Sequence, residues 1–158
     1  MLDGELALVT GASRGIGQAI ALELGRLGAT VIGTATSGEG AASISAFLAA
    51  AGSKGEGALL EVRDAAQVEA LISRVEKTYG AVSVLVNNAG ITRDNLSLRL
   101  KDDDWDVVLD TNLKAVFRLA KGVMRGMMKA RRGRIINITS VVGHAGNAGQ
   151  ATYCSAKA

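Results

Sequence analysis

Proline is absent from the 158 residues of this sequence, and cysteine and histidine occur once each. A single cysteine, Cys154, cannot close an internal disulfide, so nothing in the chain calls for an oxidising compartment. Aromatic residues make up only 3%, too few to build the stacking platforms of a nucleic-acid surface. Apolar runs such as "ALVTGA" and "VSVLVNNAG" fall far short of the roughly 20 residues that span a membrane. No basic-then-apolar leader precedes them. The expectation is a soluble cytoplasmic protein with no metal site. The missing proline, against an average usage of about 5%, has two readings: chance, or the absence of a proline-bearing part of the fold.

What is present points to a packed core. Apolar residues form 48% of the chain, and the length suits one domain, here 1–158. The 20 glycines suit tight strand-to-helix turns. The net charge is +3, and much of it sits in "KARRGR", with Lys129, Arg131, Arg132 and Arg134 close together. That stretch is either a solvated helix end, where cations favour the dipole, or a docking patch for an acidic partner.

Strand and helix signals alternate along the chain. "LALVT" (6–10) is a short apolar run, followed by "IGQAIALELGRLG" with Ile16, Ala19, Ile20, Leu24 and Leu27 at helical spacing and Gly28 as a C-cap. "TVIGTAT" predicts a second strand and "GEGAASISAFLAAAG" a helix ending at Gly52. "GALLEV" (57–62) predicts a third strand, after which Asp64 caps a helix with Val68, Leu71, Ile72 and Val75 on one face. "VSVLVNNAG" is a fourth strand with a polar turn, and residues 102–130 read as one long helix, acidic at its start and basic at its end. "RIINITS" is a fifth strand, "VVGHAGNAGQ" a glycine-rich loop, and "ATYCSAKA" the start of another helix. Right-handed βαβ units follow, so the expected fold is α/β, a Rossmann-type doubly wound parallel sheet.

"TGASRGIG" joins the first strand to the first helix and sets Gly11, Gly15 and Gly17 where a turn must be tight, a backbone must approach a pyrophosphate, and a helix must pack close. In this strand–turn–helix setting the motif predicts a dinucleotide site. No acid stands at the end of the second strand, where Thr34, Ala35, Thr36 and Ser37 precede Glu39. An NAD site commonly has an acid there. With Arg14 in the loop as a charge-assisted partner for a 2′-phosphate, NADP(H) is favoured.

With "NNAG" (87–90), Thr111–Asn112, Ser140 and Tyr153-x-x-x-Lys157 added, the sequence resembles the classical short-chain dehydrogenase/reductases. "NNAGITRDNL", "RLKDDDWDVVLDTNL" and "GRIINITSVVG" are most similar to the 3-oxoacyl-[acyl-carrier-protein] reductases of bacterial fatty-acid synthesis. Tyr153 and Lys157, at i and i+4, share a helix face. A free phenol, of pKa about 10, is a weak proton donor at neutral pH, and a nearby ammonium favours its ionised form. The resemblance implies that Tyr153 donates the proton to a substrate carbonyl oxygen as hydride arrives from the nicotinamide. It implies that Lys157 assists and holds the ribose, Ser140 hydrogen-bonds the carbonyl oxygen, and Asn112 holds a water that relays protons to Lys157. It places Gly11, Ala12, Ser13, Arg14, Gly15, Ile16, Gly17, Thr36, Glu61, Val62, Asn88, Ala89 and Gly90, together with Tyr153 and Lys157, at the cofactor, and Arg131 at an acyl-carrier-protein dock. It further implies a homotetramer. His144 receives no role. Cys154 reads as a packing residue or a reactive thiol.

Members of that family continue past the tyrosine–lysine helix into a sixth strand, a substrate loop and a seventh strand. The expectation is therefore a fold cut off after the fifth strand and the start of the following helix. Its last helix would be too short to stand alone, and its fifth strand would be an open edge. Either this is a piece of a longer enzyme or a shortened form without activity. Two other readings are a short-chain reductase of a small ketone or sugar, and a non-catalytic dinucleotide-binding module.

Overall fold

Side-chain alternation along the first strand divides the core in two. In the computed structural model, which describes residues Met1–Ala158, β1 (Leu6–Val9) is wholly buried. Leu6 and Leu8 join one apolar cluster, while Ala7 and Val9 join another on the opposite face. A strand buried on both faces belongs in a parallel sheet covered by helices on each side. The sheet has the order β3-β2-β1-β4-β5, with β2 at Thr30–Ala35, β3 at Gly55–Leu59, β4 at Val84–Asn87 and β5 at Arg134–Asn137. All four pairings are parallel. The doubly wound fold read from the sequence is the fold observed.

Helices α1 (Gly15–Arg26) and α2 (Gly38–Ala50) cover one face through Ala21, Ile44 and Leu48. Helices α3 (Ala65–Tyr79) and α5 (Ala115–Ala130) cover the other through Val68, Leu71, Ile72, Val75, Leu119, Val123 and Met127. Between α3 and α5 lie Gly122 and Gly126. A Cβ on Gly122 would collide with Ile72, and one on Gly126 would lie 2.6 Å from Glu76 Oε1. Small residues one turn apart thus let these two helices pack closely.

Among the boundaries that differ from the sequence reading, three stand out. The third strand runs 55–59 rather than 57–62, because its extent is set by the ladder to β2, from Val31↔Gly55 to Ala35↔Leu59. The expected long helix is helical from Asp102 to Ala130, but α4 (Asp102–Leu109) and α5 are joined by a π turn at Asp110–Lys114. Thr111 Oγ1 donates to Val107 O at 2.7 Å inside that turn. The loop at 141–150 contains the short helix α6 (Val142–Ala145). The last helix, α7 (Ala151–Lys157), packs on α4, α6 and the π turn with Thr152 and Ala156 buried. β5 is an edge strand whose four residues are all exposed.

Asp64 caps α3 as expected, accepting from Ala66 N at 2.9 Å and Gln67 N at 3.1 Å. The Gln67 backbone N–H, first among several causes, holds the Asp64 carboxyl below its ordinary value of 3.8. A carboxylate with a depressed native value adds stability above its ordinary value and loses it as pH falls through the native one. Asp64→Ala is therefore expected to lower the urea midpoint at neutral pH. The gap to the unsubstituted chain should close as acid titrates the cap away. A gap that stays constant with pH would remove the charge from the explanation.

Candidate functional site: a dinucleotide cavity beside a tyrosine–lysine helix

In an open α/β sheet a ligand binds beyond the carboxyl ends of the strands, where the winding reverses. Here the reversal lies between β1, which connects onward to β2 on one side, and β4 on the other. Just past these two ends Gly11 presses against Ala89, with a Cβ on Gly11 falling 2.9 Å from Ala89 Cα. Thr10 Oγ1 accepts from the N–H groups of Asn88 and Ala89, each at 3.0 Å. Asn88 Nδ2 donates to the carbonyls of Thr10 and Gly11, each at 3.0 Å. The glycine loop and the end of β4 are thus one laced unit. Gly17 is buried in it, where any Cβ would meet Gly11 O.

A cavity of about 600 Å³ opens over this unit, within the range of about 300–1,000 Å³ common for small-molecule sites. Gly11, Ser13, Arg14, Gly15, Ile16, Gly17, Thr36, Glu61, Val62, Asn88, Ala89 and Gly90 line it. Ala12 does not. It is fully buried, its N–H bonded to Thr34 O at 2.8 Å, and its methyl packs toward Gly33 in the core. Ile91, Arg63, Arg93 and Val107 also line the cavity and were not singled out from sequence as site residues, and Thr111, read only as part of the Thr111–Asn112 motif, lines it too. The only hints were that Arg63 directly follows Glu61–Val62 and that Arg93 lies in "ITRDNL".

The lining fits a nucleotide with phosphates. Helix α1 has no side-chain cap and no acid in its first turn, whereas α2 and α3 are capped by Ser37 and Asp64. The free N–H groups at its start, in Gly15, Ile16 and Gly17, belong to residues on the cavity wall, as an anion requires. Gly15 takes φ +57 with open space where a Cβ would be, so nothing blocks close approach of a ligand. The wall carries three arginines, Arg14, Arg63 and Arg93, and one acid, Glu61. Glu61 is bound to Arg63 at 3.1 Å, and that hydrogen-bonded guanidinium holds its carboxyl below the ordinary value.

Tyr153, Ser140 and Lys157 do not line the cavity, but Lys157 reaches its Gly90 end. Lys157 Nζ donates to Ile138 O at 2.7 Å and lies 3.7 Å from the point where a Cβ on Gly90 would be. It also lies 5.9 Å from the centroid of the Tyr153 ring. Burial pushes its ammonium below the ordinary lysine value. Asn112, buried in the π turn, donates from Nδ2 to Ile91 O and accepts at Oδ1 from Ile91 N, both at 2.8 Å. The same Oδ1 is 3.1 Å from the Gly90 Cβ position, so Asn112 and Lys157 meet at Gly90. Ser140 precedes α6, and its Oγ accepts from Val142 N at 3.4 Å. Helix α6 presses on α7 so closely at Gly143 that a Cβ there would fall 2.7 Å from Lys157 O.

The basic stretch sits elsewhere. Arg131 ends α5 in a left-handed conformation, φ +53, and is exposed. It lies just ahead of β5, at the end of the sheet opposite the cavity. Arg132 bonds Glu5 at 3.3 Å and the Gly4 carbonyl at 3.3 Å, and so ties α5 to the start of β1. No helix is long and apolar enough to cross a membrane. Cys154 is half-buried beside Tyr153.

Residues 5–158 match the family model described as short chain dehydrogenase. The chain is 60% identical over 157 residues to a Pseudomonas aeruginosa protein named 3-oxoacyl-[acyl-carrier-protein] reductase FabG, covering 99% of this chain and 64% of that relative. Proteins of the same name from Salmonella typhimurium and Escherichia coli K12 are 58% and 57% identical over 156 residues, covering 99% of this chain and 63% of each. The chain thus spans a little under two thirds of the length of these relatives.

Proposed function

The chain belongs to the short-chain dehydrogenase family, and from that premise we propose that it holds the cofactor site and proton-donating residues of an NADP(H)-dependent reductase. The proposed reaction, part of fatty-acid synthesis in the cytoplasm, converts a 3-oxoacyl thioester on acyl carrier protein to the 3-hydroxyacyl form. The observation that carries the reductase reading is the Lys157 ammonium, beside the Tyr153 ring and reaching Gly90 at the end of an anion-suited cavity. The 60% identity to a relative of that name supports the substrate.

In this reading the wall residues named above bind the cofactor, with Arg14 and Thr36 toward a 2′-phosphate and Glu61 and Val62 toward adenine. When bound, NADPH supplies the hydride for the carbonyl carbon. Tyr153 gives its hydroxyl proton to the carbonyl oxygen, and Lys157 offsets the charge left on the phenol oxygen. Ser140 Oγ accepts from Val142 N, which leaves its own O–H to donate to the substrate oxygen. Asn112 fixes the backbone of Ile91 beside Lys157, and the second lone pair of its Oδ1 serves the water of the relay. Leu113 in the π turn and Phe117, Met124 and Met128 on α5 are exposed at spacings that share one helix face. They support a homo-oligomer, a tetramer by family. Arg131 is the proposed contact for the acidic carrier protein.

The test is oxidation of NADPH with an acetoacetyl thioester as acceptor. Turnover with NADPH preferred over NADH is the expected result, and Arg14→Ala should reduce that preference by about tenfold, the worth of one charge-assisted hydrogen bond. Binding of NADPH without turnover supports a non-catalytic module instead. A preference for NADH would overturn the 2′-phosphate assignment.

A further inference from the structure

Where the chain leaves β3 for α3, most of its ties are local. Asp64 N bonds Glu61 O, and Glu61 N bonds Gln67 Oε1, each at 3.0 Å. Glu61 and Arg63 pair two residues apart. One tie comes from far away. Arg118, half-buried on α5, reaches across the end of α3, and its Nη1 donates to Val62 O at 3.1 Å and Arg63 O at 2.8 Å. Val62 itself is only 4% exposed, and its N–H has no acceptor within the protein. A buried backbone donor without a partner is costly, and this residue lies on the cavity wall. The Glu61–Val62 peptide carries this N–H, and the set of the turn that follows it decides whether the N–H faces the cavity.

We infer that Arg118 is a positioning residue for the purine end of the cofactor site. By holding the Val62 and Arg63 carbonyls, Arg118 fixes the turn that follows Val62, while Asp64 N holds the Glu61 carbonyl of the peptide that carries the Val62 N–H, and together these leave that N–H free for a ring-nitrogen acceptor of the base. The inference rests on the nucleotide reading of the cavity. It gives α5 a share in cofactor binding, although the Arg118 side chain lies outside the cavity wall.

Calorimetric binding of 2′,5′-ADP, the adenosine half of NADPH, and of NMNH, the nicotinamide half, tests it on the chain as it stands. Arg118→Met keeps the aliphatic stem and removes the donors. It is expected to weaken 2′,5′-ADP about tenfold, the worth of one lost hydrogen bond, while NMNH binds as before. Arg118→Lys, whose ammonium can still donate to one carbonyl, should recover part of the loss. Unchanged 2′,5′-ADP binding in Arg118→Met overturns the inference. Equal losses for both halves, with no recovery in Arg118→Lys, overturn it as well, since they describe general damage to the fold. If the unsubstituted chain binds neither NADPH nor 2′,5′-ADP, the nucleotide reading itself falls and takes the role of Arg118 with it.

Discussion

Tyr153→Phe is expected to slow reduction of a 3-oxoacyl thioester by about a hundred- to ten-thousand-fold, the range for losing a positioned general acid. NADPH binding should be unchanged. The separation follows from where the residue sits. The Tyr153 hydroxyl makes no hydrogen bond within the protein, so its removal leaves no orphaned partner. Neither is the ring part of the cavity wall. Lys157 stays anchored on Ile138 O whether or not the phenol is present. Steady-state rates and a binding titration on the same preparation measure the two quantities apart. Undiminished turnover in the variant would remove Tyr153 from the chemistry. A parallel loss of NADPH affinity would make it a binding residue as well.

Gly17→Ala should damage the site from below. The new Cβ would strike Gly11 O and lie 2.5 Å from Asn88 Nδ2. Gly11 O is backbone, in a turn already pressed against Ala89, so neither side can yield cheaply. Overpacking of this kind costs about 1–3 kcal/mol. If the glycine loop takes up the strain, that becomes a roughly ten- to hundredfold loss of NADPH affinity, with a lowered urea midpoint. Gly38→Ala is the control. Gly38 begins α2 with nothing near its Cβ position, and alanine there should hold or slightly raise stability. Equal behaviour of the two variants would mean that the close approach at Gly17 has no role.

These residues also mark how far a sequence can be read. The strand order of signals, the glycine loop and the Asp64 cap are local patterns, and local patterns fix local geometry. β3 was displaced because a strand extends as far as its neighbour's ladder, and β2 stops at Ala35. Ala12 lies within the motif yet points into the core, since adjacent residues of a turn face different ways. Ser140, Tyr153, Lys157 and Asn112 were named together from resemblance. The meeting of Asn112 and Lys157 at Gly90, with α6 wedged against α7, depends on contacts between separate segments of the chain. Arg118 left no trace in the sequence at all. A lone arginine on a helix reads as solvated charge, and its carbonyl partners lie 55 and 56 residues away.

The π turn at Asp110–Lys114 has a bearing on insertions and deletions. Between α4 and α5 the chain carries one residue more than an unbroken α-helix with the same ends requires. Deleting one residue from the turn would let the backbone close into ordinary helix. The flanking helices would keep their faces, but the residues of the turn itself, Asn112 among them, would lose the wide spacing that places them. Asn112 could then no longer reach Ile91 while Leu119 and Val123 stayed under the sheet. The spare residue is tied to the wall of the cavity, so length in this helix cannot drift by one without uncoupling the site from the core.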